Sequence, residues 1–326
     1  MVKNSQPTPN KKIAIIGECM IELSGKPFEA QSQHFGGDTL NTAVYFSRLS
    51  LGIIPFYVTA LGCDNYSQNM KTMWQQEGID TSLVVIDEDK LPGLYAIQIN
   101  SVGERSFHYW RNDSAARYLC EHRDFSNVVE QLKTFDLIYL SGISLAILSD
   151  EGKAVLLEAL RVVKQCGVTI AVDSNYRPCL WESVTEAKRW LDQLYQLSDI
   201  ALVTGDDEDL LLEQKNTPPE QIAKRLHKLG IPQVVVKLGA DGALWSNYDE
   251  HGVVAGICVE EVVDTTAAGD SFNGAYLAAW CRGMSMADSC YWGNQLAARV
   301  IQFKGAIIPS EEINHVIKSM SEVNEN

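Results

Sequence analysis

The 326-residue chain has no apolar run approaching the ~18–20 residues of a membrane span, and Met1–Lys12 lacks the apolar stretch of a secretory signal. Paired cysteines are missing too. Eight cysteines stand at 19, 63, 120, 166, 179, 258, 281 and 290 with no CxxC, which excludes a zinc ribbon or a dense disulfide framework and predicts reduced thiols in a cytoplasmic protein. Basic charge is scarce: 27 Lys and Arg face 42 Asp and Glu, a net charge of -15. Such a field repels nucleic acid and anionic lipid, so neither is expected as a partner. None of the 6 histidines forms HExxH. The first strand-like run leads into Gly17-Glu18-Cys19-Met20 without GxGxxG, and GxxxxGK[ST] occurs nowhere, which argues against dinucleotide-binding Rossmann and P-loop enzymes.

What the chain does contain is an ordinary globular composition, 46% hydrophobic and 21% charged, and a steady alternation. Strand-like runs at Ile13–Ile16, Phe56–Thr59, Leu137–Leu140, Thr169–Val172, Ile200–Val203 and Val234–Lys237 are mostly too apolar to have a wet face. Strands covered on both faces suit a parallel sheet. Helical periods fill the gaps, with Leu40, Ala43 and Val44 before Gly52 and Ala154, Leu157, Leu160 and Val163 before Gly167. The expected class is therefore α/β, a mostly parallel sheet with helices on both faces.

One region breaks the alternation. Leu94–Ile99 and Arg105–Arg111 flank the polar segment Asn100–Glu104, which reads as a β-hairpin. A turn centred on Val102 pairs Ile99 with Arg105, Ile97 with Phe107 and Tyr95 with Tyr109. Tyr95, Ile97, Phe107, Tyr109 and Arg111 then share a face that offers phenols and a guanidinium to a polar ligand. Met20–Phe35 is also strand-like and is expected to extend the same small sheet.

The richest stretch is Val263-Asp264-Thr265-Thr266-Ala267-Ala268-Gly269-Asp270-Ser271-Phe272, which passes from an apolar run through small residues into a helical segment. Free N–H groups in the first turn of a helix bind anions, and small residues let a ligand approach the backbone. A carboxylate there, Asp270, can accept the proton of a hydroxyl attacking a phosphoryl group.

Asp264–Asp270 resembles the DTxGAGD signature of the PfkB (ribokinase-like) carbohydrate kinases. The other motifs of that family follow the same order. Gly36-Gly37-Asp38-Thr39-Leu40-Asn41 resembles its GGxxxN sugar element. Lys237-Leu238-Gly239-Ala240-Asp241-Gly242 resembles its KxGxxG nucleotide loop, and Asn294 its adenine-flanking helix. The likeness spans roughly residues 12–310. Within the family, Ile15–Glu22, Leu91–Tyr95, Tyr109–Asn112, Asn175–Trp181 and Gly305–Pro309 are similar to members that phosphorylate the sugar acid 2-keto-3-deoxygluconate.

The resemblance implies a three-layer α/β/α ribokinase-like domain over 12–319, with a β-lid from about 19–36 and 92–112, between tails at 1–11 and 320–326. It implies ATP and Mg2+ as cofactors, a monovalent cation being left open, and a homo-oligomer. Carried over by motif, Asp270 is the catalytic base and Ala267, Ala268 and Gly269 hold the transferred charge. The sugar falls to Gly36, Gly37, Asp38, Thr39, Leu40, Tyr95, Tyr109, Trp110, Arg111 and Arg177. ATP falls to Asn175, Arg177, Lys237, Gly239, Ala240, Gly242, Ala268, Gly269 and Asn294, and the metal to Glu208. A sugar carboxylate calls for a guanidinium fork such as Arg111 or Arg177. Two departures stand out: Ala267 replaces the usual glycine, and Gly205 replaces the asparagine of the NxxE element that ends at Glu208. Two alternatives stay open at this level, a kinase of the same fold acting on fructose, ribose or a nucleoside, and a non-catalytic sugar-acid sensor.

Overall fold

The computed structural model describes residues 11–99 and 105–322. The expected N-terminal tail through residue 10, the hairpin turn at 100–104 and residues 323–326 lie outside that range. The helix Asn314–Glu322 runs three residues into the segment expected as a C-terminal tail.

All six apolar runs form strands of one sheet: β1 (Ile13–Ile16), β4 (Pro55–Val58), β9 (Leu137–Ser141), β10 (Thr169–Asp173), β11 (Ile200–Thr204) and β12 (Gln233–Lys237). They are parallel, and two antiparallel strands, β13 (Gly242–Ser246) and β14 (His251–Ala255), complete the order β14-β13-β12-β11-β10-β9-β1-β4. Side chains alternate between two apolar cores. Ile13 and Ile15 pack with helices Asp38–Leu49, Ala268–Cys281 and Met286–Val300, whereas Ala14 and Ile16 pack with Phe125–Leu132, Asp150–Gln165 and Val184–Leu197. Both faces of the sheet are covered, as the near-continuous hydrophobic runs require. The carboxyl ends of the parallel strands consequently open on one edge, where ligands of such sheets collect.

Above that edge lies a four-stranded sheet, ordered β3-β2-β7-β8, from β2 (Met20–Ser24), β3 (Ser32–Gly36), β7 (Leu94–Ile99) and β8 (Arg105–Trp110). Its hairpin adopts the register read from the sequence: Tyr95 opposes Tyr109, Ile97 opposes Phe107 and Ile99 opposes Arg105. Met20–Phe35 proves to be two strands, reversed where Gly25 (φ 132°) and Phe28 (φ 63°) take left-handed conformations. A short parallel ladder, β5 (Ala60–Leu61) with β6 (Val85–Ile86), completes the strands of the described residues.

Candidate active site

Asp270 lies in the first turn of the helix Ala268–Cys281. Intrahelical bonding starts with Ser271 N–H to the Ala267 carbonyl at 2.9 Å, so the Gly269 and Asp270 N–H groups precede the ladder and are free for an anion. Asn41, from the GGxxxN helix, donates through Nδ2 to Asp270 Oδ2 at 2.8 Å across 229 residues of sequence, and Thr42 Oγ1 donates to the Asp270 carbonyl at 3.2 Å. Burial and the nearby Asp38 carboxylate raise the Asp270 pKa to about 7, against the opposing pull of Asn41 and Lys237. A carboxylate so placed gains proton affinity where a general base needs it.

Ala267 caps this helix at φ 60°, ψ 16°, a left-handed conformation that disfavours a Cβ by ~1–2 kcal/mol. The methyl group in place of the usual glycine is thus accommodated under strain. Ala267→Gly relieves it but adds unfolded-chain entropy, so we expect a net stabilisation of about 0.5–1 kcal/mol. A rise in Tm of a few degrees is the expected result; a fall in Tm would contradict the strain.

Beneath the turn is a buried polar cluster that the sequence only half announced. Lys237 Nζ, at the end of β12, donates to Asp173 Oδ2 at 2.6 Å and to Asn273 Oδ1 at 3.2 Å. Asn273 Nδ2 in turn donates to Asp173 Oδ2 at 2.7 Å and to Tyr139 Oη at 3.0 Å. Lys237, expected at the nucleotide, therefore turns inward. Asn175, also expected at ATP, donates through Nδ2 to Asp38 Oδ2 at 2.7 Å, which ties its amide to the start of the GGxxxN helix. It holds an unusual φ of 37°. Asp173, Asn273 and Tyr139 were missed, and Asn41 was seen only as the end of the GGxxxN element, because their contacts join separate elements 36 to 229 positions apart in sequence.

The GGxxxN element is more economical than expected. Leu40 is fully buried in the core, and Thr39 is fully buried with Oγ1 at 2.9 Å from Tyr57 Oη, so their side chains face away from any ligand. What these two positions can offer is backbone N–H at a helix N-terminus. Gly36 has a steric cause, since a Cβ there would lie 2.3 Å from Tyr95 Oη.

On the lid, Tyr95, Phe107 and Tyr109 form one aromatic ladder, with Tyr95 and Tyr109 centroids 5.8 Å apart and Phe107 and Tyr109 6.4 Å apart. The Tyr95 hydroxyl donates to Glu22, and burial together with that carboxylate raises its pKa. Tyr109 is half exposed, with the Arg111 guanidinium 5.8 Å from its ring centroid; its pKa is raised by burial and pulled back by Arg111 and Arg177. Trp110, expected to touch sugar, points to the opposite face of β8 by strand alternation and is 63% exposed. Arg111 lies beyond the strand and turns into the protein, where Nη2 donates to Glu18, itself held by the Ser114 hydroxyl. The Arg111 Nε has no partner. Arg177 is the more open of the two, with Nη1 on Asp207 Oδ1 at 3.2 Å.

Across the sheet, Gly239–Asp241 forms a tight turn, and Gly242 has φ 100° with the Val254 carbonyl 2.1 Å from where a Cβ would sit. Asn294 Nδ2 donates to the Val254 and Ala255 carbonyls at 3.2 and 3.1 Å, so its side chain anchors β14 beside that turn. The metal assignment to Glu208 is corrected. Glu208 is fully buried and both of its oxygens are engaged, Oε1 by the Tyr195 hydroxyl and Oε2 by Arg225 Nη1 at 2.8 Å. Asp207, in the same segment, pairs instead with Arg177 at 3.2 Å. Burial and Asp173 raise its pKa, while Arg177 and Lys237 lower it.

Among the described residues, no helix is long and apolar enough to cross a membrane. Residues 10–313 match the family model described as pfkB family carbohydrate kinase. A 2-dehydro-3-deoxygluconokinase of Haemophilus influenzae is 50% identical over 310 residues, covering 94% of this chain and 98% of the relative. A solved 2-dehydro-3-deoxygluconokinase of Thermotoga maritima superposes with a TM-score of 0.79 at 20% identity, covering 94% of this chain and 99% of that one. A putative ribokinase II of E. coli, solved with ATP and Mg2+, does so with a TM-score of 0.79 at 23% identity, over 96% and 99% of the two chains. With the motifs, the fold and these likenesses in agreement, the chain belongs to the pfkB family of carbohydrate kinases.

Proposed function

We propose that this kinase transfers the γ-phosphoryl group of ATP to the 6-hydroxyl of 2-keto-3-deoxygluconate. The observation that carries the reading is the meeting of the sugar element and the anion-binding turn at one carboxylate, Asn41 on Asp270 at 2.8 Å. The 50% identity with a 2-dehydro-3-deoxygluconokinase supports the choice of substrate.

The sugar acid lies between the lid tyrosines and Asp38, with its carboxylate toward Arg111 and Arg177. Asp270 accepts the proton of the 6-hydroxyl as the O6–P bond forms and the bond from the γ-phosphorus to the β-phosphate oxygen breaks, releasing ADP. The Gly269 and Asp270 N–H groups hold the transferred charge, so catalysis is mainly positioning and electrostatics. A divalent cation carried by the nucleotide would neutralise charge on the phosphates, and a carboxylate of this chain near them would help to hold it. Asp207, tied to the half-exposed Arg177 at 3.2 Å, would suit that role, whereas Glu208 is committed elsewhere.

The test is ADP release and identification of the product with ATP and, in turn, 2-keto-3-deoxygluconate, its galactonate epimer, gluconate, fructose and ribose. A preference for the 2-keto-3-deoxy acids of about 100-fold or more in kcat/KM over the neutral sugars is expected, because buried polar groups left unpaired reject the wrong ligand. Equal use of fructose would overturn the substrate, and absence of ADP release with every sugar would overturn the kinase.

A further inference from the structure

Lys237, Asp173 and Asn273 form a closed, buried triangle whose three contacts measure 2.6, 2.7 and 3.2 Å. Lys237 and Asp173 are each less than a tenth exposed. The triangle touches the catalytic turn at two points. Asn273 lies three residues after Asp270 on the same helix face. A Cβ at Gly269 would come within 3.4 Å of Lys237 Nζ, so the ammonium group rests directly against the turn that precedes Asp270. Burying a Lys–Asp pair confers little stability in itself, because the lost hydration offsets most of the attraction. Its placement under the base therefore calls for another role.

The geometry points to Lys237 and Asp173 as a pair of positioning residues that, through Asn273, orient the first turn of the catalytic helix and fix the charge under which Asp270 takes up its proton. The reading rests on Asp270 being the base. The groups around Asp270 come from every packed element: Asp38, Asn41 and Tyr45 on the helix Asp38–Leu49, Tyr139 on β9, Asp173 on β10, Lys237 on β12 and Asn273 on its own helix. Asp38 and Asp173 favour the protonated acid, and Lys237 the carboxylate. Because Asp173 and Lys237 act on Asp270 with opposite sign, removing one or the other moves the balance in opposite directions.

The experiment is the pH profile of kcat/KM for the sugar at saturating ATP in the wild type, Lys237→Met, Asp173→Asn and the double variant, with Tm recorded for each. The acidic limb of Lys237→Met is expected to move up by roughly one pH unit, costing about fivefold at pH 7, and that of Asp173→Asn to move down. The double variant should return toward the wild-type limb. Should Lys237→Met fail to fold, the downward shift in Asp173→Asn and its reversal in the double variant carry the same test. Loss of rate with the limb unmoved, or shifts of the same sign in both single variants, would overturn the inference. Asp270→Asn separates the two levels. If it kills transfer while the limb stays fixed in the other variants, only this inference falls; if it leaves transfer intact, the base assignment falls first.

Discussion

Asp270→Asn leaves a folded, sugar-binding protein whose kcat is reduced by ~10²–10⁴-fold, the usual worth of a positioned base. The replacement keeps the volume, and an amide oxygen can still accept from Asn41 Nδ2, which now reaches Asp270 at 2.8 Å. Only the proton acceptor goes. The pH dependence carries its own sign. The folded pKa of Asp270 is raised to about 7 from an ordinary 3.8, chiefly by burial, so the stability linked to this group is full below the unfolded value and is lost as pH rises through about 7. The wild type at pH 8 thus bears the cost of a buried carboxylate that the asparagine variant does not. We expect the variant to have the higher Tm at pH 8 and the difference to shrink toward pH 5. In the wild type, kcat/KM falls on the acid side with an apparent pKa near 7. A variant that keeps more than about a tenth of the wild-type kcat would sink the base assignment.

Local pattern carried most of the fold into view. The six apolar runs of the sheet are self-announcing, because a strand covered on both faces leaves no room for polar residues. The hairpin register followed from a polar five-residue segment and the period of two, and Tyr95 opposes Tyr109 as that register requires. β13 and β14 were harder to read: β13 opens on Gly242 and β14 begins His251-Gly252 and leaves Val253 60% exposed, so neither carries the continuous buried apolar run of the central strands. The site divided along the same line. Motifs located Asp270, Gly36 and the turn at Gly239, where backbone shape dictates residue type. Partners could not be read, because a hydrogen bond between Asn41 and Asp270 or an ion pair between Arg111 and Glu18 leaves no mark at any sequence spacing. Hence Glu208 passed as a metal ligand when Arg225 and Tyr195 hold it, and the burial of the Thr39 and Leu40 side chains, which leaves only their backbone N–H groups to a ligand, went unseen.

Arg111→Met should destabilise the protein by about 3–5 kcal/mol, lowering Tm by roughly 6–15 °C. The Glu18 side chain is 1% exposed and that of Arg111 8%, so removal of the guanidinium strands a carboxylate with only the Ser114 hydroxyl to hold it. Glu18→Gln in the same chain removes the stranded charge and should recover most of the loss, a coupling that a purely steric defect would not show. Arg111→Lys then isolates the role toward substrate. One arm of the Arg111 fork is occupied by Glu18, and its planar, multi-pronged geometry allows a second acceptor to be held at the same time. A lysine is a point charge on a flexible stem that keeps the ion pair at the expense of the second contact. Affinity for the sugar acid should fall by about 1.5–3 kcal/mol, roughly 10–150-fold, while an analogue with the carboxylate reduced to an alcohol is almost untouched. Titration of both ligands against both proteins gives the double difference. Equal loss for the two ligands would make Arg111 a strut for the lid through Glu18, and would leave recognition of the carboxylate to Arg177, which is half exposed and only loosely tied to Asp207 at 3.2 Å.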